Sequence, residues 1–124
     1  MIFIKEIQEK LFYCAEKINA PGNLIPLINE SNDLACPYIE ISDSGLMYFV
    51  IRERGVEQER KLVAEVEDLL YLAFSKITFS MACQYELENR IETQDSRKLI
   101  FEKQVELLEI LDEEWAKKEK WYDQ

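Results

Sequence analysis

The longest apolar run of the chain, residues 69–83, has apolar side chains on nearly every side of a predicted helix. A helix that is apolar almost all round is typical of a central element that neighbours cover on more than one side. Glu67 and Asp68 place negative charge in its first turn, which suits the positive end of the helix dipole. We therefore predict a buried helix that begins near Ala64, ends between residues 90 and 92, and lies between a sheet and other helices.

An amphipathic helix is predicted at the start of the chain, over residues 3–18. One apolar stripe recurs there at intervals of three to four residues, which is the spacing of a single helix face. Its members are Phe3, Ile7, Leu11, Cys14 or Ala15, and Ile18. Pro21 and Gly22 follow shortly afterwards and indicate where the helix must stop.

A last helix is predicted after the central one, again from an apolar stripe at helical spacing. The stripe consists of Phe101, Val105, Leu108, Leu111 or Asp112, and Trp115. Thr93 or Asp95 is expected to cap its N-terminus. We expect the chain to fray beyond Lys118, and Trp121 and Tyr122 to be the aromatic residues that belong least to the core.

The middle of the chain is predicted to be a β-meander, because every glycine and proline lies between residues 21 and 55 and marks a turn or loop. Residues 20–37 form a long connection, whose apolar part is expected to pack down as a short helical turn. The predicted strands are residues 38–41, 46–52 and 56–63, with turns at residues 43–45 and 54–55. The third strand is polar enough to be an edge strand or to have one solvated face, and its end alternatively belongs to the next helix.

These elements predict one α+β domain that spans residues 1–124. Its order is an N-terminal helix, a small antiparallel three-stranded β-meander, and two long C-terminal helices packed as a hairpin.

The net charge of −10, from 25 acidic and 15 basic residues, restricts the partners that the chain can have. Direct binding of nucleic acid is disfavoured, because contacts with phosphates require clustered lysine and arginine. Attraction to anionic membranes is disfavoured for the same reason. The charge favours fast encounter with a basic protein, although many acidic proteins are acidic for solubility alone.

The cysteines indicate a reducing compartment. The chain has three cysteines, Cys14, Cys36 and Cys83. Their odd number and wide spacing argue against a disulfide framework or a zinc site. The N-terminal residues do not have the pattern of a secretory signal, and the apolar run at 69–83 is too short to span a bilayer. We therefore expect a cytoplasmic protein.

Candidate catalytic chemistry is sparse, because the chain has no histidine and no glycine-rich phosphate loop. Neighbouring carboxylates such as Glu86 with Glu88, or Glu113 with Glu114, are the remaining candidates for acid–base work or for magnesium binding. A solvated helix face explains them better. No catalytic residue, cofactor or metal ligand is predicted, and the chain is not expected to be an enzyme.

A polar corner follows the central helix and consists of Tyr85, Glu86, Asn89, Arg90, Asp95 and Arg97. Glu86 and Arg90 are four residues apart and are expected to pair along the helix. We interpret the corner as a hydrogen-bonded clamp that fixes the angle between the last two helices, in preference to a ligand-binding site.

The C-terminal half resembles the immunity protein 63 family of bacterial polymorphic toxin systems. The resemblance lies in DLLYLAF at residues 68–74, ITFSMA at 77–82, YELENRIE at 85–92, DSRKLIFEKQVELL at 95–108, and the pair Glu114 and Trp115. The N-terminal half is similar to the family only in its layout, with an aromatic-rich strand before the long helix.

This resemblance implies a cytoplasmic immunity protein that binds a cognate toxin and neutralises it by occlusion, with no reaction of its own. Many such toxins are nucleases or other nucleic-acid-targeting enzymes with basic clefts, where carboxylates can stand in place of phosphates. The alternative is a non-catalytic structural or adaptor subunit that docks through its helical hairpin. An exposed apolar stripe on the last helix would favour that alternative.

Exposed acids are the expected partner-binding residues. Those near the second turn and the third strand, Glu53, Glu57 and Glu59, are the first choice. The acids of the last helix, Glu106, Glu109, Glu113 and Glu114, are the second. The sequence names neither the toxin nor the oligomeric state.

Overall fold

The computed structural model describes residues 2–30 and 34–122. The helices are α1 (Ile2–Lys17), α2 (Val66–Glu88), α3 (Ser96–Leu111) and α4 (Glu113–Lys118), and the strands are β1 (Leu34–Ile41), β2 (Met47–Glu53) and β3 (Val56–Val63). The predicted helical turn is a 3₁₀ helix at Gly22–Leu24. The side chains of Phe3 and Cys36, both singled out in the sequence, lie outside the described part.

The predicted fold class is confirmed, because a three-stranded antiparallel sheet follows the first helix and precedes the others. The strands are ordered β1-β2-β3, with Ile39 opposite Phe49 and Met47 opposite Val63. Alternate strand residues face the helices, as the two-residue period of a strand requires. The buried residues of this face are Ile39, Ile41, Met47, Phe49 and Val63.

The hairpin between β2 and β3 turns on two residues with left-handed backbone. Arg54 has φ 52° and Gly55 has φ 76°, the combination of a type I′ turn, whose twist matches that of paired strands. β3 is an edge strand, and Val63 is its only buried residue. A shift of register leaves Gln58 without an opposite residue, since Glu57 pairs with Arg52 and Glu59 with Ile51. The strand runs to Val63, so its end does not belong to the helix.

The core lies between the sheet and α2, with α1 and α3 completing it. α2 contributes Leu69, Leu70, Ala73, Phe74 and Ile77 to the core. The stripe predicted on α1 is buried at Ile7, Leu11, Ala15 and Ile18, whereas Cys14 is half-buried. These contacts confirm α2 as the central helix.

The last helix is not continuous, which differs from the prediction. Asp112 has extended backbone (φ −169°, ψ 119°), and its carboxylate accepts a hydrogen bond from Glu114 N at 2.8 Å, so that it caps a new helix, α4. The break directs Trp115 onto the core, where its ring stacks on Phe74 with 6.2 Å between the centroids. At the other end, Asp95 caps α3 by accepting from Arg97 N at 3.1 Å, which decides between the two predicted caps.

The buried face of α3 contains a polar residue that the stripe did not include. Gln104 is 1% exposed, beside Leu107 and Leu108. Its amide nitrogen donates to the carbonyl oxygen of Ser75 at 2.9 Å, and its oxygen accepts from Trp121 Nε1. Because both ends of the amide have partners, the burial of this polar group is compensated.

Residues 119–122, here named the C-terminal strap, pack back across α2 and α3. A single carboxylate oxygen of Glu119 accepts hydrogen bonds from Tyr71 Oη at 2.8 Å and Ser75 Oγ at 2.9 Å. Trp121 meets Phe79 and Phe101 edge-on, with centroid distances of 5.5 and 5.4 Å. The helix ends at Lys118 as predicted. The expected fraying is wrong for residues 119–122, because they pack against α2 and α3, while residues 123–124 lie outside the described part.

Replacement of Gly55 by alanine is expected to lower the free energy of unfolding by about 1–2 kcal/mol, because a Cβ atom is strained at a positive φ. Gly22→Ala is the matched control. Its added Cβ meets nothing within 4 Å and its φ is not positive, so a change within about 0.5 kcal/mol is expected. Urea denaturation measures both, and equal stabilities of the two variants would contradict the turn assignment.

Trp121→Ala is expected to cost about 2 kcal/mol of stability, through lost ring contacts and an unpaired Gln104 carbonyl. Tyr13→Ala on α1, where the tyrosine is 65% exposed, serves as the control, with an expected loss within about 0.5 kcal/mol. Thermal unfolding checks both changes. A Trp121 variant as stable as the Tyr13 variant would show that the strap does not pack as described.

Candidate interaction surfaces

The acids of the β2–β3 hairpin are exposed but accompanied by bases. Glu57 pairs with Arg60 at 2.9 Å, and the same guanidinium binds Glu40 at 2.7 Å. Arg60 also lies over the ring of Tyr48, 5.1 Å from its centroid. The hydrogen bonds from Arg60 lower the pKa of the Glu40 carboxyl below its ordinary value.

The local charge balance of this hairpin is therefore not acidic. Between residues 52 and 61, three glutamates stand beside three arginines and one lysine. Glu53 and Glu59 are exposed, like Glu57, and each of these two is next to an arginine in the sequence. The surface that was the first choice from the sequence consequently lacks a net negative field of its own.

The stretch from the second half of α3 to the start of α4 is more strongly acidic, although Lys117 and Lys118 follow it in α4. Residues 102–114 contain six acids and a single lysine. Glu106 pairs with Lys103 at 2.9 Å and Glu114 with Lys117 at 3.4 Å, whereas Glu109 and Glu113 make no ion pair within the part of the chain that the structure describes. The second-choice acids from the sequence, Glu106, Glu109, Glu113 and Glu114, are all exposed.

The side chains of the polar corner pair locally. Arg90 donates two hydrogen bonds to Glu86, both at 3.0 Å, which confirms the pairing predicted from their spacing and lowers the pKa of the Glu86 carboxyl. Asn89 donates to the carbonyl oxygen of Tyr85 at 2.9 Å. Across the turn, Arg97 binds Asp95 at 2.9 Å and likewise lowers the pKa of that carboxyl.

These bonds do not build the predicted clamp. Within residues 2–30 and 34–122, no hydrogen bond of the six corner side chains joins α2 to α3. The contact that does join the helices here is Lys103, whose Nζ lies 4.5 Å from the centroid of the Tyr85 ring. The sequence could not show it, because Tyr85 and Lys103 lie on different helices, 18 positions apart, and their contact depends on how the helices pack.

A groove of about 490 Å³, here named the Tyr85 groove, opens beside this contact. It lies where the segment after α1 meets α2 and α3. Its apolar side includes the buried Ile18 and Leu107 and the half-buried Met81. Its polar rim consists of Asn19, Ser80, Gln84, Tyr85, Glu88 and Lys103.

The two cysteines whose side chains the structure describes, Cys14 and Cys83, are half-buried. Burial raises the pKa of the Cys14 and Cys83 thiols, which disfavours the nucleophilic thiolate. No three acidic or cysteine side chains among the described residues lie close enough together to hold a metal ion. None of the helices in the described part is both long and apolar enough to cross a membrane.

Comparison with known proteins gives one match. The family model of immunity protein 63 matches residues 43–121, which is more than half of the chain and extends from the first β-turn to the strap. No curated protein and no solved structure matches the chain significantly. The chain belongs to the immunity protein 63 family, and a toxin-neutralising role with a protein toxin as partner follows from this membership at the general level.

Proposed function

We propose that this chain neutralises its cognate toxin in the cytoplasm by covering the toxin's active site. The observation that carries the proposal is the acidic helix face, defined as Glu106, Glu109, Glu113 and Glu114, on a chain of net charge −10. The proposed toxin acts on nucleic acid, as a nuclease or a related enzyme. The chain itself needs no catalytic group for this role.

An acidic face suits a toxin of this kind because a cleft that binds nucleic acid must present basic side chains to the phosphates. Carboxylates at matching positions compete for the same side chains. Complementary charge also steers the two proteins together and raises the association rate. Speed is an advantage for an inhibitor that must reach the toxin before the substrate does.

The acidic helix face supports this role better than the hairpin acids do. Glu109 and Glu113 carry charge that no described base neutralises, whereas Arg60 already binds Glu57. A partner would therefore gain more from approaching α3 and α4. Glu53, Glu57 and Glu59 remain the alternative surface.

The adaptor hypothesis has less support from the packing of the last helices. In the predicted apolar stripe, Leu108 and Trp115 are buried and Phe101, Val105 and Leu111 are half-buried, so most of the stripe is covered within the chain. Ile110, which lies outside the stripe, is 52% exposed. A single exposed apolar residue is ordinary on a protein surface.

Co-expression tests the function directly. The C-terminal region of the protein encoded immediately upstream is produced in a bacterium with and without this chain. Growth arrest that only this chain relieves, together with co-purification of the two proteins, is expected. Toxicity that the chain does not relieve, or a stable complex without toxicity, would refute the immunity proposal, and the second result would favour an adaptor.

Charge neutralisation tests the surface. The triple variant Glu106→Gln, Glu109→Gln and Glu113→Gln is expected to slow association with the toxin about tenfold at low ionic strength, and the difference should shrink as salt rises. The matched triple variant Glu53→Gln, Glu57→Gln and Glu59→Gln has the same net charge and should retain most of the wild-type rate. Stopped-flow or surface-plasmon resonance kinetics measure both association rates. A larger decrease in the rate of the hairpin variant would indicate that the interface lies on β3.

A further inference from the structure

We infer that the Tyr85 groove is a socket for one arginine side chain of the toxin. The inference rests on the proposed function and specifies it, since it names a point of contact and the residue type that fills it.

The shape of the groove suits a long side chain with an apolar stem and a polar end. Ile18, Met81 and Leu107 provide an apolar surface for methylene groups, and the polar rim lies around it. Long basic side chains bury their stems against such surfaces while the charged end stays at a polar edge. The groove is open to solvent, and several of its rim residues are exposed.

The protein already holds a cation at this rim. Lys103 Nζ lies over the ring of Tyr85 and 2.9 Å from a carboxylate oxygen of Glu106. The ring and the carboxylate stabilise positive charge by two independent means, the ring quadrupole and direct ion pairing. Glu106 compensates the charge of Lys103, so that Glu88 is the charged side chain of the rim that has no ion pair among the described residues.

Glu88 provides the counter-ion for a second cation. It is exposed, and its carboxylate accepts only a long 3.3 Å hydrogen bond from the Gln84 amide among the described residues. Its neighbours in the groove, Gln84 and Asn19, add amide oxygens as acceptors. Of the two basic side chains, arginine fits better, because its planar guanidinium binds a carboxylate such as that of Glu88 through two nitrogens at once.

The position of the groove relates it to the acidic helix face. Lys103 and Glu106 belong to α3, so the groove rim and the acidic face share the same helix. Long-range attraction by the acids would bring a basic surface of the toxin towards α3. The arginine in the socket would then fix the orientation of the two proteins relative to each other. A second copy of this chain is a poor occupant, because two molecules of charge −10 repel each other.

Two variants test the socket by different means. Glu88→Lys removes the counter-ion and adds a repelling charge, and Ser80→Trp fills the groove without removing a charged group. Each is expected to weaken binding of the purified toxin region, in a catalytically inactive form, by at least about tenfold. Glu9→Lys changes the net charge as Glu88→Lys does but lies at an exposed position of α1, outside both candidate surfaces, and should change the dissociation constant less than about twofold.

The identity of the occupant comes from a double-mutant cycle. Each arginine of the toxin region is replaced by methionine and tested against the wild type and against Glu88→Gln. Replacement of one particular arginine is expected to weaken binding of the toxin region to the wild-type chain about tenfold, and to weaken its binding to the Glu88→Gln chain much less. Coupling to no arginine, or to an apolar residue alone, would overturn the inference.

Other outcomes separate this inference from the proposed function. Melting temperatures of the variants first establish that they are folded. A wild-type chain that binds and neutralises the toxin while Glu88→Lys and Ser80→Trp bind equally well would eliminate the socket and leave the immunity role intact. A wild-type chain that does not bind the toxin at all would refute both.

Discussion

The burial of α2 on two sides is the constraint on which the other elements depend. Leu69 and Phe74 have no exposed surface, and their burial requires the sheet and α1 on one side and the last helices on the other. Each such side chain contributes about 1.5–3 kcal/mol when it leaves water. The polar groups of the α2–α3 contact must then find partners inside the protein, and Gln104 supplies them by bonding Ser75 and Trp121.

The order of the elements was predictable because the signals for it are local. Glycines and prolines mark the turns, the alternation of apolar and polar residues marks the strands, and the long apolar run marks α2. Gln104 was not recognised, because a glutamine in a charged helix looks like a surface residue until its partner 29 positions earlier is known. The strap was missed for the same reason, since Glu119 and Tyr71 are 48 positions apart. The break at Asp112 was missed because aspartate and glutamate occur both inside helices and at their starts.

The candidate surfaces were predictable only in part. The exposure of a glutamate follows from its residue type, but whether a basic side chain pairs with it does not. The glutamates of the hairpin and of α3 look alike in the sequence. In the structure Arg60 pairs with Glu40 and Glu57, whereas Glu109 and Glu113 make no ion pair with a described base. This difference supports the proposal that a basic partner approaches α3 rather than the hairpin. The Tyr85 groove requires three separate segments to meet, which no local pattern encodes.

The succession of neighbours along the chain has a consequence for the speed of folding. β1, β2 and β3 pair in chain order, and α2 packs beside the next helix, α3, so most contacts join segments that are close in sequence. Short loops between partners lose little entropy on closure, and mixed domains of this topology fold on the order of milliseconds. Synthesis of 124 residues takes far longer than that, so folding adds little to the time that passes before the newly made residues can bind a partner. For a chain with a toxin-neutralising role, the delay before neutralisation is then set by translation and not by folding.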